Sequence, residues 1–307
     1  MRLPALLLSL CASVAFAQYN PLAGHNAPAA SESVKVERRA KDGTVSFDTE
    51  QRPVNVKRDS YGNAAGAQYD LAVDGAFDGQ TVLVVDLYRQ DFSLAAAAIK
   101  TKGFSVVRYQ NVPPLEEFEK ALSKSNQFWI IASCDDAVYL SKAHQMAVKK
   151  FFDAGHGVYL WGDNDPCNAD ADSLAQMLID ARVKGNLPGD QVVSRSDGPG
   201  KPGVVREHLL STGVENVYEG VTVATVKPAG KMTPVIYGSA GNLVAAAFES
   251  NGKRLLVDGG FTRLSYKWDS AGTNRYIMNA AAWLANYERF GNDVVADSFK
   301  KATGKKQ

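Results

Sequence analysis

The densest group of chemically capable side chains lies in residues 155–174, GHGVYLWGDNDPCNADADSL. A short apolar run there ends in Asp163, Asn164 and Asp165, and Asp170 and Asp172 follow at the start of a predicted helix. Carboxylates so placed can act as general acid and base, which makes Asp163 and Asp165 candidates for catalysis. Asp163, Asp165, Asp170 and Asp172 can equally serve as oxygen ligands to Ca²⁺ or Mg²⁺. They do not form an EF-hand loop, because Asn168 stands at its glycine position and Leu174 at its final glutamate position. A structural reading competes with both, since aspartates at a helix start also cap it and favour its dipole.

A second group is DGGFTRLSYKWDSAGTNRY, residues 258–276. Asp258 ends an apolar run, two glycines allow close backbone approach, and Thr262, Arg263, Lys267, Trp268, Asp269 and Arg275 offer donors, cations and an aromatic face. Such a set suits an anionic or carbohydrate ligand. The competing reading pairs Arg263 and Lys267 with nearby aspartates and packs Trp268 between the last helix and the sheet. The candidate ligand contacts are therefore Asp163, Asn164, Asp165, Asp258, Thr262, Arg263 and Lys267. Cys134, directly after an apolar run, is a candidate nucleophile with His156 or His208 as base, although no cation or base stands in fixed sequence relation to it.

These residues need a scaffold, and the middle of the chain supplies one. Strand-like runs at residues 81–87, 104–110, 127–133 and 157–161 alternate with helical patterns at 92–103, 113–125, 141–155 and 169–183. That alternation predicts an α/β fold with a parallel sheet covered on both faces. Ligands of such sheets bind at strand-to-helix turns, the position of Asp163. Residues 185–203 are turn-rich and 216–226 read as irregular strands. Asn251-Gly252 predicts a hairpin, because both of its turn positions require positive φ. The last helix is expected over residues 272–289, followed by a Lys-rich tail at 291–307.

Residues 1–17, MRLPALLLSLCASVAFA, have the form of a cleaved secretory signal, which predicts an extracellular or periplasmic protein. Residues 18–77 read as a flexible arm with one or two short strands, and Arg38-Arg39 and Lys57-Arg58 are candidate processing sites of a pro-segment. The remaining cysteines, Cys134 and Cys167, both follow strands expected to be close in the sheet. They are read either as a disulfide or as two buried thiols. With 34 basic and 33 acidic residues the charge is balanced, which argues against nucleic acid as partner. No later segment is apolar enough for a membrane span. No phosphate loop, zinc spacing or Gly-x-Ser-x-Gly elbow occurs, so no cofactor is expected beyond a possible divalent metal.

The succession of elements, with WGDNDPCNADA, HLLSTGVENVYEGVT and the 258–276 segment running on into the last helix, resembles the class I glutamine amidotransferase-like superfamily over residues 78–290. Within it, the chain is similar to an uncharacterised secreted subgroup. The resemblance implies a flavodoxin-like sheet with helices on both faces and a late β-hairpin excursion. In active members the turn is Gly-x-Cys-x-Gly, and a downstream His-x-Glu supplies the base. Here the turn is Trp161-Gly162-Asp163-Asn164-Asp165 and no His-x-Glu occurs, so amidotransferase chemistry is not expected. The expected function is a secreted domain that binds a small polar ligand, a glycan or an extracellular protein partner. The alternatives are a hydrolase using Asp163 or Asp165, with or without a metal, and a structural extracellular component.

Overall fold

The sequence TVLVVD forms β3 (Thr81–Asp86), and QFWII and GVYLW form β5 (Gln127–Ile131) and β6 (Gly157–Trp161). All three are buried almost throughout instead of on alternate residues, which marks strands covered on both faces. In this computed structural model the described residues are 31–39, 45–53, 71–206, 208–228, 230–268 and 271–290, with backbone alone for those before 54. The expected signal (1–17), the Lys57-Arg58 pair, Asp269 and the tail at 291–307 lie outside the described residues.

One eight-stranded sheet organises the body. Its order is β4 (Ser105–Tyr109), β3, β5, β6, β14 (Lys253–Asp258), β13 (Leu243–Ser250), β12 (Met232–Tyr237) and β9 (Gly203–Val204). The first five are mutually parallel and, by chain order, run 2-1-3-4-5, the flavodoxin-like arrangement. β14 also pairs antiparallel with β13 through the expected hairpin, where Asn251 and Gly252 both take positive φ. Two core clusters cover the two faces. Ala95, Ala98 and Ile99 of α1 (Ser93–Thr101) join α5 (Thr273–Leu284) over Val82, Val84, Trp129 and Tyr159. α2 (Leu115–Leu122), α3 (Lys142–Asp153) and α4 (Ala169–Ile179) lie over Leu83, Val85, Phe128 and Leu160.

Three boundaries differ from the sequence reading. α4 stops at Ile179 because Asp180 turns left-handed (φ 56°), and residues 182–183 start β7 (Arg182–Pro188). β7 pairs with β11 (Thr222–Lys227) in a small separate sheet, and β8 (Val192–Val193) pairs with β10 (Val217–Tyr218). The last helix is likewise interrupted: Asn286, at φ 53°, separates α5 from α6 (Tyr287–Phe290). In the N-terminal arm β1 (Ser31–Arg39) and β2 (Val45–Pro53) form a nine-residue antiparallel pair, longer than the short strands expected. Among the described residues no helix is long and apolar enough to cross a membrane.

Candidate functional site

β14 ends at Asp258, and its carboxylate sits at the centre of a closed polar cluster. Oδ1 accepts the Gly260 N–H at 3.0 Å and faces Arg263 Nη2 at 3.1 Å. Oδ2 accepts the hydroxyls of Tyr159 at 3.3 Å and Tyr276 at 3.2 Å. Arg263, on the short 3-10 turn Phe261–Leu264, also donates to the carbonyls of Gly260 and Glu219. A Cβ on Gly260 would collide with that Glu219 carbonyl and crowd the guanidinium, so the turn requires glycine. Asp258 and Arg263 are completely buried. Burial lifts the Asp258 carboxyl above its usual range, although the guanidinium, the Gly260 amide and the two phenols pull the other way. It also keeps both phenols protonated far above their usual range.

Asp163 adjoins this cluster and is 1% exposed. Its Oδ1 accepts the Asn164 N–H at 2.8 Å and its Oδ2 the Thr262 N–H at 3.1 Å, stitching the turn after β6 to the turn after β14. Burial nevertheless pushes its carboxyl up to about 7, against the opposing effect of these bonds and of Arg263. The other acidic residues of the segment point elsewhere. Asp165 is exposed at the surface and accepts from Asn168 Nδ2 at 2.7 Å and Gly185 N–H at 3.0 Å. Asp170 is buried and accepts the Leu140 N–H at 2.9 Å, with its second oxygen unpartnered, and burial raises it to about 6. Asp172 is held by Arg182 through a two-pronged pair at 2.8 and 2.7 Å and accepts the Val183 N–H; burial pushes its carboxyl up, but these bonds outweigh it and lower it.

The structure thus brings Asp163, Thr262, Arg263 and Asp258 together, with Asn164 alongside through its side-chain oxygen and the Thr222 hydroxyl at 2.5 Å. Asp163, Asp258 and Arg263 are buried there. Grooves of about 590 Å³ beside β12, 390 Å³ between α2 and α3 and 520 Å³ beside β4 are lined by none of them. Lys267 lies apart, paired with Asp190 at 2.5 Å. Trp268 is buried in the α1/α5 core cluster. Asp163, Asp165, Asp170 and Asp172 diverge, and among the described residues no three His, Cys, Asp or Glu side chains gather as a metal site.

Cys134 is joined to Cys167 in a disulfide that links the segments after β5 and β6, which leaves no thiolate at either position. The histidines named as its bases are remote from it in environment. His156 precedes β6 and lies between the rings of Phe151 and Phe290, whereas His208 packs edge-on against Trp283. Burial drives each down to about 4.

Beside charged residues such as Arg89, Asp136 and Asp165, the carboxyl ends of the strands expose three tyrosines. Tyr88 after β3 is 41% exposed, Tyr139 after β5 is 50% and Tyr266 after β14 is 52%. Tyr88 rests on Phe261 with ring centroids 4.5 Å apart, and Gln90 Oε1 accepts from the Ser265 hydroxyl at 2.7 Å, so the turns after β3 and β14 touch. Tyr139 donates to Asp135 at 2.7 Å. Lys267 Nζ sits 5.6 Å from the Tyr266 ring centre. Sequence reading missed these tyrosines, and it missed the buried Asp86 and Glu219. Asp86 had a signal, a carboxylate closing a β-branched run, just as Asp258 does. Glu219 had none, because its partners at Ser239 and Arg263 come from distant segments.

The strand order and the two covered faces define an open flavodoxin-like α/β domain with an antiparallel extension. No protein-family profile and no curated protein matches the chain. Solved structures similar in outline include a putative GMP synthase component from Thermoplasma acidophilum, with 11% identity over 70% of this chain and 98% of that one and a TM-score of 0.46. PurLQS from Thermotoga maritima has 9% identity over 68% of this chain and all of the other, with a TM-score of 0.40. An exo-β-1,4-mannosidase from Opitutaceae bacterium strain TAV5 has 12% identity over 69% of this chain and 36% of that one, with a TM-score of 0.39. Likenesses of this degree concern outline, and no function follows from them.

Proposed function

We propose that this chain is a secreted binding domain of the glutamine amidotransferase-like superfamily whose carboxyl-end rim recognises a hydroxyl-rich ligand such as a glycan. One observation carries this reading. Asp163, Asp258 and Arg263 at the strand ends are buried and engaged with their neighbours, whereas Tyr88, Tyr139 and Tyr266 stand exposed. A tyrosine offers an apolar face and a hydroxyl, which match the CH face and hydroxyl edge of a sugar ring. Calorimetric titration of a panel of neutral and acidic oligosaccharides tests it. Wild type should bind at least one saturably, and the triple variant Tyr88→Ala/Tyr139→Ala/Tyr266→Ala should bind it at least tenfold more weakly at nearly unchanged Tm. Equal binding by the triple variant, or no binding by wild type, overturns the reading.

A second reading, a hydrolase working through Asp163 or Asp165 with or without a divalent metal, is favoured by the position of Asp163 near 7, the range that proton transfer at neutral pH requires. It demands that the carboxyl be uncovered during turnover. A hydrolytic activity lost in Asp163→Asn while glycan binding persists selects it.

A further inference from the structure

The two edges of the eight-stranded sheet are built differently. At one edge β9 has only two residues, and β12 beside it carries Pro234 and two register shifts against β13. Very short edge strands, proline and irregular register keep an edge from pairing with another chain. β4, at the opposite edge, has none of these. Its sequence SVVRY pairs with β3 in unbroken register, and among the described residues it pairs with no other strand. The Ser105 N–H donates to the Gln80 carbonyl at 2.8 Å, on the β3 side. By the two-residue period of a strand, the peptide groups of Val107 and Tyr109 face β3 as well, and those of Val106 and Arg108 face outward. Nor does the Arg108 charge guard this edge, because its guanidinium turns back to Asp86 and the Gln90 carbonyl.

The side chains beside the edge are also uncovered. Val106 packs against the α1/α5 cluster, so Val107 points to the other face, where it is 41% exposed. There the groove of about 520 Å³ opens between β4 and α2, lined by Val107, Tyr109, Glu117, Lys120 and Lys124 among others. α2 carries Glu116 and Glu117 in its first turn, Lys120 in its last, and Lys124 just beyond its end. A helix acidic at its start and basic at its end complements its own copy laid antiparallel.

We propose that β4 pairs antiparallel with β4 of a second copy of this chain, about a two-fold axis at Val107, joining the two sheets into one. Setting Val107 opposite its copy sets Val106 opposite Arg108, so the outward peptide groups of both strands exchange hydrogen bonds. The exposed valines then cover each other, and the acidic start of each α2 lies toward the basic end of the other. One self-complementary patch serves both copies, as a two-fold interface requires. A formal net charge of +1 leaves little overall repulsion to oppose the pairing.

Sedimentation equilibrium of the full chain tests it, with circular dichroism to show that each variant is folded. Wild type should be a dimer at micromolar concentration. Val107→Lys puts like charges at the axis and should weaken the dimer at least tenfold, whereas Val192→Lys, at an exposed valine of β8, should leave it unchanged. Glu117→Lys and Lys124→Glu should each weaken the dimer, and the two together should regain most of the loss, because the charges are then exchanged between the facing helices. A monomeric wild type overturns the proposal and leaves the edge to a segment of the chain itself or to a foreign strand. A dimer that Val107→Lys does not weaken, or a double charge variant weaker than either single one, overturns it equally.

Discussion

Asp163 accepts a backbone N–H on each oxygen and still titrates near 7, because the cost of burying its charge exceeds what those bonds return. An acid whose folded pKa exceeds its unfolded value of 3.8 holds its proton more tightly in the folded chain. Its contribution to stability is present at low pH and is lost as pH rises from about 4 to about 7. His156 and His208, lowered to about 4, oppose it: their contribution is present above 6.5 and is lost as pH falls toward 4. The useful measurement is therefore a difference. The Tm of Asp163→Asn minus that of wild type should grow more favourable to the variant from pH 4 to 8, and a flat difference would refute the buried proton. Asp163→Ala leaves two N–H groups unpaired and should cost about 1–3 kcal/mol in urea unfolding. At this scale the sequence disclosed which residues gather, since Asp163, Thr262, Arg263 and Asp258 do meet. It did not disclose their burial, because whether a strand-end carboxylate faces solvent or a neighbouring turn is decided by residues a hundred positions away.

The connection from β5 to α3 is fastened at both ends. Cys134 is bonded to Cys167, and the Leu140 N–H is held by Asp170 of α4. Between these points lie the exposed Val138 and Tyr139. The cysteines are 33 residues apart, so closing that loop removes about 3–4 kcal/mol of unfolded-chain freedom by the entropic account. Reduction, or Cys134→Ser/Cys167→Ser, should lower stability by up to that amount and speed amide exchange in residues 135–141. Unchanged exchange there would mean that Asp170 alone fixes the connection. Elements were legible where their signals were local: α1 runs up to Gly103 at φ 99°, and Ser141 accepts the His144 N–H at the start of α3. The end of α4 was not, because residues 182–183 continue a helical composition and become β7 only through pairing with β11, some forty positions downstream.

Across the whole molecule, β1 and β2 pair with each other and share no sheet with the eight-stranded body. A chain beginning at residue 60 should accordingly keep its Tm within about 3 °C, a shift worth less than about 1 kcal/mol for this size. A drop of about 10 °C in calorimetry would show that the hairpin packs on the sheet, since a shift that large exceeds what a detached pair could contribute. The parallel architecture was readable from alternation and buried runs alone. The reversal of the connections between β3 and β5 was not, because it is a property of strand order, which no single segment encodes. β14 has the widest reach in that order. It joins β13 across a two-residue turn and joins β6 from about a hundred residues away. The first pairing costs little loop closure and the second costs much more, so in time the hairpin precedes its docking. Only docking carries Asp258 to Tyr159 and Thr262 to Asp163. The polar cluster is therefore a late event on the folding path, a lock that closes on a finished sheet and governs how slowly the chain reopens more than how quickly it forms.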